Sequence, residues 1–272
     1  MDKKGFTLAE VLITLGIIGV IAALTLPSLN TEHKKQVWSN SLSVGFSNLE
    51  TALTATILRE DVSKFTKTDV WKAFGKDALT ASSADADITN FVNEMKKSMP
   101  FVAFHKGLSS VYTEEIKTLN NNGSPSATVT YNPTDITYVG FETRKGMIYW
   151  LYRKDVTATN EATEGEEEPA AEDVLYTKDI DGNFVAEDAF AQLMIDVNGA
   201  KKPNIIGRDI HFFIISQDGR LQPYGSAYIS NSTTNKTWEE DAADFACTNT
   251  TKKAGGKGCT ARLIEKGYRM DY

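Results

Sequence analysis

The first residue that could do chemistry is a carboxylate in an unusual place. Glu10 is the one ionisable side chain between Phe6 and Leu26. A carboxylate inside an apolar segment costs roughly 2.5–3.5 kcal/mol on insertion scales, so it calls for a partner of opposite charge. Its own stretch holds none, so the partner is expected from another molecule. A second pair is Cys247 and Cys259, the only cysteines in the chain. In an oxidising compartment they would bridge, closing a loop of about 13 residues worth roughly 3 kcal/mol in the chain-entropy model. Zinc is not expected, because His33, His105 and His211 are scattered and match no ligand spacing. A third set is Asp196, Asn198 and Asp209, grouped with Asn204 around Gly199. Calcium takes 6–8 oxygen ligands from loops of this kind. Against it, no Glu closes the loop and Lys201-Lys202 lies inside it, so a set of Asx-turns is the alternative. Asp179-Ile180-Asp181-Gly182-Asn183 is a second, weaker acidic turn.

No catalytic constellation accompanies these groups. G-x-S-x-G, H-E-x-x-H and the P-loop are absent, and the remaining carboxylates fall in turns or in an acidic tract. His211 sits beside Phe212 and Phe213, where a packed or surface strand residue is expected rather than a catalytic base. The chain is read as a non-enzyme with no required cofactor. Its net charge of −7 argues against bulk nucleic-acid binding, although Lys252 to Lys257 forms a local basic patch.

Several elements must position these residues. The run from Phe6 to Leu26 is about 21 residues, which as a helix spans roughly 30 Å, the hydrocarbon thickness of a bilayer. It is longer than a secretory signal's apolar region, and no A-x-A site follows it. The small residue, Gly5, instead precedes the run, directly after Lys3-Lys4. A cut between Gly5 and Phe6 would leave the apolar helix on the mature chain. Beyond Pro27, apolar residues recur at Trp38, Leu42, Phe46, Leu49, Leu53 and Ile57, the spacing of an amphipathic helix. One helix from Phe6 to about Arg59, bent near Pro27, is expected. Two helices broken at Ser28–Glu32 are the alternative.

Lys3 to Pro27 resembles the class III signal of type IV pilins and type II secretion pseudopilins: a basic leader ending in Gly5, then Phe6-Thr7-Leu8, Glu10, and Pro27 at the end of the apolar half-helix. The resemblance implies cleavage by a prepilin peptidase between Gly5 and Phe6, and N-methylation of Phe6. It also implies polymerisation through packed N-terminal helices, with Glu10 neutralising the Phe6 amine of an adjacent subunit. The implied partners are other pilins or pseudopilins and an inner-membrane assembly platform. The implied location is the inner membrane, single-pass, with the N-terminus cytoplasmic and the head outside. Lys3 and Lys4 agree with that orientation by the positive-inside rule, whereas Lys34 and Lys35 weaken it. An unprocessed membrane-anchored binding module is the competing class. A DNA-uptake pilin is a further alternative of the same fold.

The expected organisation is a leader over 1–5, a transmembrane helix over 6–27, the amphipathic half over 28–60 and a head over 61–272. The 41% apolar content supports a real core. Short helices are expected at Asp69–Leu79 and Asp87–Met99, the latter closed by Pro100. Residues 108–134, rich in Asn, Ser and Gly, read as a loop. Ile136–Glu142 and Met147–Arg153 read as a β-hairpin around Arg144-Lys145-Gly146. Residues 161–173 form an acidic low-complexity tract read as a mobile exposed loop. Phe190–Val197, Ile210–Ser216 and Leu221–Pro223 read as an antiparallel meander with one apolar face toward the helix. Cys259–Lys266 reads as a helix capped by Gly267, and Tyr268–Tyr272 as a final strand. The fold class is α+β and pilin-like: a long helix on an antiparallel sheet, closed by a disulfide.

Overall fold

The structure, a computed structural model, describes residues 5, 7–74, 85–119, 125–131, 138–155, 175–178, 183–187, 189–226, 229–230, 247 and 256–272. The expectations for Phe6, Leu79, the 161–173 tract and the Asp179 turn lie outside these residues. One helix, α1 (Leu8–Arg59), runs unbroken through Pro27. The two-helix alternative is therefore not taken. Its second half buries Ser39, Leu42, Leu49, Ala52, Leu53 and Thr56, with Trp38, Phe46 and Ile57 packed at the edge of the same core. This is the face that the three-and-four spacing marks.

Two short helices follow, α2 (Asp69–Ala73) and α3 (Asp85–Ser98). Thr68 caps α2, its hydroxyl accepting from Trp71 N at 3.2 Å. Helix α3 begins two residues before the expected Asp87. The strands in chain order are β1 (Ala103–Lys106), β2 (Ile116–Leu119), β3 (Pro125–Tyr131), β4 (Val139–Glu142) and β5 (Ile148–Asp155). They continue with β6 (Tyr176–Lys178), β7 (Phe184–Ala186), β8 (Ala189–Asp196), β9 (Ile210–Ile215), β10 (Leu221–Pro223) and β11 (Ile229–Ser230). Helix α4 (Cys259–Glu265) comes last.

The main sheet has six strands in the order β1-β4-β5-β8-β9-β10, every pairing antiparallel. The expected hairpin is β4–β5, and the expected meander is β8–β9–β10. The loop expectation for 108–134 is corrected: β2 and β3 pair antiparallel across it, Ile116 opposite Tyr131. The run Ser126-Ala127-Thr128-Val129-Thr130-Tyr131 has the β-branched content of a strand, which the Asn-Gly-Ser-Pro segment before it masks.

The expectation of a single apolar sheet face is also corrected, because both faces are buried. Along β5, Tyr149 and Leu151 face the helices, while Ile148 and Trp150 face a second core. The second core brings in Leu108, Tyr112, Ile116 and Ile206 from outside the main sheet. Strand β9 is buried at every position. Ile210-His211-Phe212-Phe213-Ile214-Ile215 is nearly continuous apolar sequence, the pattern of a strand covered on both sides. On the helix side, Phe46 meets Phe213 with ring centroids 5.5 Å apart, and Tyr149 OH donates to the Gly45 carbonyl at 2.9 Å.

The expected final strand is absent from the described residues. Gly267 and Tyr268 both take left-handed backbone angles, φ +64° and +61°. Two such residues in succession turn the chain out of an extended path. The tail is held instead by Tyr272 OH, which donates to the Gly207 carbonyl at 2.7 Å.

Candidate assembly site

The start of α1 is built by a reciprocal cap. Thr7 Oγ1 accepts from Glu10 N at 3.3 Å, and Thr7 N donates to Glu10 Oε2 at 2.8 Å. Thr7 Oγ1 also donates to Glu10 Oε2 at 2.8 Å. This is a capping box, readable from Thr7-x-x-Glu10, which the sequence analysis missed. Glu10 thus has two roles available to it. Within one molecule it closes the orphan amides at the helix start, where the positive end of the helix dipole also favours a carboxylate. Its exposed carboxylate remains open to an incoming cation. The structure describes Gly5 and Glu10; Phe6 lies outside the described residues.

The helix that carries Glu10 is exposed all round. From Thr7 to Pro27 only Ala22 is even partly covered. Leu12, Ile13, Leu15, Ile18 and Val20 are each about 60% exposed. An ideal Cβ placed on Gly16 or Gly19 would meet nothing within 4 Å. So large an apolar surface does not persist in water and marks a membrane or partner contact. By length and composition, α1 holds a segment able to cross a membrane.

The oxygen-rich loop between β8 and β9 uses its carboxylates internally. Asp196 Oδ1 accepts from Asn198 N at 3.1 Å and Gly199 N at 2.8 Å. Its Oδ2 accepts from Tyr112 OH at 2.6 Å, and Trp150 Nε1 donates to that hydroxyl at 3.0 Å. Asp209 accepts from Asn204 N at 2.8 Å and Ile205 N at 2.7 Å. All four carboxylate oxygens therefore face N–H or O–H donors, an arrangement that disfavours a cation among them. These contacts are the Asx-turn alternative, and among the described residues no three Asp, Glu, His or Cys gather as a metal cluster. Burial first, and the nearby Asp209 second, push the Asp196 carboxyl well above its usual range. Burial pushes Asp209 up to about 6. His211 is fully buried and donates from Nε2 to the Arg208 carbonyl at 2.9 Å; burial lowers it to about 4.

Cys247 and Cys259 form a disulfide. It ties residue 247 to α4, where Cys259 and Ala261 pack with Leu119 and Ile205. Arg262 Nη1 donates to the Cys247 carbonyl at 2.9 Å, and Arg262 Nε donates to Asp271 at 3.0 Å. Thr260 Oγ1 accepts from Phe212 N at 3.0 Å, so the start of α4 is anchored on the main sheet.

Residues 1–26 match the prokaryotic N-terminal methylation motif, the prepilin-type signal of type IV pilins and pseudopilins. No curated protein and no solved structure matches the chain significantly. The motif implies prepilin peptidase processing and pilin-type assembly in general, and with the apolar helix it points to membrane anchoring.

Proposed function

We propose that this pilin-like, processed chain is a structural subunit of a filament: a pseudopilin or minor pilin of a type II secretion-like or type IV pilus machine. The observation that carries the proposal is α1 itself. One half is the spine of the head, and the other half lies within the methylation motif and, among the described residues, stands exposed on every side except for partial cover at Ala22. In a membrane it is an anchor; in a filament it is the surface that neighbouring helices cover. Gly16 and Gly19 then have a use, because small residues let helix backbones approach closely.

In this reading the chain is cut between Gly5 and Phe6. Glu10 exchanges its Thr7 contacts for the Phe6 amine of an adjacent subunit, so the two charges compensate as the helix leaves the lipid. Pro27 supplies a bend at the foot of the head by removing one helix hydrogen bond. The partners are a prepilin peptidase, other pilin-type chains and an inner-membrane platform, with the head outside the cytoplasm. The size of the head leans toward a secretion pseudopilin or a minor subunit. Calcium at Asp196, Asn198 and Asp209 forms no part of the proposal.

Intact mass and N-terminal peptide sequencing of the membrane-derived protein test it. A chain starting at Phe6 with one added methyl group is expected. A start at Met1 would leave an unprocessed anchored binding module, and a start after Pro27 a secreted head; either overturns the filament subunit. Glu10→Ala should be processed and inserted normally yet fail to assemble. Normal filaments from that variant would remove the role given to Glu10.

A further inference from the structure

A groove runs beside the second half of α1. Val44, Asn48, Thr51 and Ala55, at steps of four, three and four, line it from the helix. Ser98 to Val102 line it from the link between α3 and β1, and Met147 and Tyr149 from the start of β5. The cavity measures about 680 Å³, and its lining is mainly apolar. Val44 and Val102 are left 50% and 58% exposed. The composition of α1 here is also unlike that of a helix surface left to water, which is ordinarily rich in charge. From Gln36 to Leu58 the one charged residue is Glu50.

Cations stand toward both ends of the groove. Met147 lies against Gly45, where an added Cβ would come within 2.5 Å of its sulfur, so the turn bearing Arg144 and Lys145 sits toward that end. Arg59 Nη1 donates to the Lys97 carbonyl at 2.8 Å, which sets the end of α3 beside the end of α1, about 21 Å from Gly45. There Lys96 Nζ lies over the Phe101 ring, 5.7 Å from its centroid. Lys96, Arg144 and Lys145 are all exposed, and among the described residues none of them has an ion pair. The nearby carboxylates are engaged elsewhere. Glu94 is held by Lys97 at 2.7 Å and Glu142 by His105 at 2.9 Å. Glu50 lies within reach of Tyr268 and does not line the groove.

We propose that this groove takes an acidic amphipathic helix of a partner protein, laid along α1. Its apolar side chains rest on Val44, Met99 and Met147, and its carboxylates meet Lys96, Arg144 and Lys145. A helix suits the site because Asn48, Thr51 and Ala55 are small enough for a second backbone to come close. Val44 to Ala55 spans about 17 Å, three turns. Met99 and Met147 are unbranched and adapt to varied apolar side chains. Cations without counter-charges in their own subunit set the register and exclude basic partners. The mode is that of an amphipathic helix in an apolar groove. The site belongs to the head and stands apart from the fate of the first half of α1.

The test places a photo-cross-linker, benzoylphenylalanine, at position 51 of the full chain in the cells that make it. Mass spectrometry then identifies the peptide it joins. A peptide of a different protein is expected, with apolar residues at helical spacing and carboxylates beside them. An Arg144→Glu/Lys145→Glu variant should lose that product while its disulfide and circular dichroism are unchanged. The same peptide, synthesised with a fluorescent label, should bind the purified full chain in detergent. It should bind the double variant about tenfold more weakly, the loss of two exposed ion pairs. Thr51→Trp should fill the groove and abolish binding, whereas Lys72→Gln, on α2 and outside the groove, should leave the affinity unchanged. No product at position 51, or a product joining two copies of this chain, overturns the partner. So does a basic peptide, a product that survives the charge reversal, or equal affinity for the parent and the double variant.

Discussion

Gly16 and Gly45 lie in the same helix, in two environments that have nothing else in common. A Cβ on Gly16 would meet nothing, whereas one on Gly45 would stand 2.5 Å from Met147 Sδ and 3.3 Å from Tyr149 OH. The same contrast runs along the whole of α1. Its first half shows Leu, Ile and Val outward in every direction; its second half buries one stripe and leaves the rest to solvent. Tertiary packing inside the subunit accounts for the buried stripe of the second half. Among the described residues the first half has no such packing partner, and its exposed apolar surface suits a membrane anchor and pilin-type assembly in general. Substitutions should therefore separate into two classes, those read by the stability of the head and those read only by insertion and assembly.

The largest effect should come from Trp150→Ala. Trp150 is fully buried between β4 and the second core, and its Nε1 supports the Tyr112–Asp196 contact. Its loss should cost about 3–5 kcal/mol in denaturant unfolding of the head. Ile17→Ala, on the exposed half, should stay within about 0.5 kcal/mol in the same assay. An equal loss from both would erase the distinction between the two halves. Next, Cys247→Ser/Cys259→Ser should cost roughly 3 kcal/mol of head stability and leave membrane insertion unchanged.

The pH dependence of head stability comes next. Asp196 and Asp209 have raised folded-state values, so they bind more protons folded than unfolded. Both contributions are full below about pH 4; that of Asp209 declines as pH rises through about 6, and that of Asp196 is likewise lost as pH rises through its raised value. His211 is lowered from 6.5 to about 4, so its contribution runs the other way, growing as pH rises from about 4 to 6.5. For Asp209 and His211 each effect is worth roughly 3 kcal/mol, and the two oppose. His211→Gln should therefore make stability fall more steeply between pH 4 and 6.5 than in the parent, as read by thermal melts. A shallower fall would reverse the assignment. Smallest is the glycine pair. Gly45→Leu must displace Met147 and disturb Tyr149, at about 1–3 kcal/mol. Gly16→Leu should leave the head unchanged, with its effect confined to helix–helix assembly.

What could be read from the chain follows the same division. The N-terminal segment is legible because its information is local: a span length, one carboxylate and a short order of residues around Gly5. Even there, Thr7 and Glu10 form a capping box at a spacing that sequence displays and that was passed over. The buried face of α1 and the β8–β9–β10 meander follow from periodicity. The β2–β3 pair did not, because turn-forming residues between the strands outweighed a short β-branched run. Burial of both sheet faces was written in the unbroken apolar sequence of β9, yet what covers its second face comes from Leu108, Tyr112 and Ile206, distant in sequence. By composition the carboxylates of Asp196 and Asp209 fit a cation ligand or a set of Asx-turns equally. Within the subunit they accept from backbone amides and Tyr112, and which donors face a carboxylate is a matter of folded geometry that no spacing encodes.

The Cys247–Cys259 bond also carries a history. Thiols stay reduced in the cytoplasm and oxidise outside it. Here the bond closes under Arg262 and against the core of the head, with both sulfur-bearing residues buried. Once formed and folded over, it is shielded from reagents that would undo it. On the proposed external location of the head, the pair would keep a durable chemical record of which side of the membrane each molecule has reached. If the head is external as proposed, a single alkylation step on whole cells would count the subunits whose thiols are still reduced.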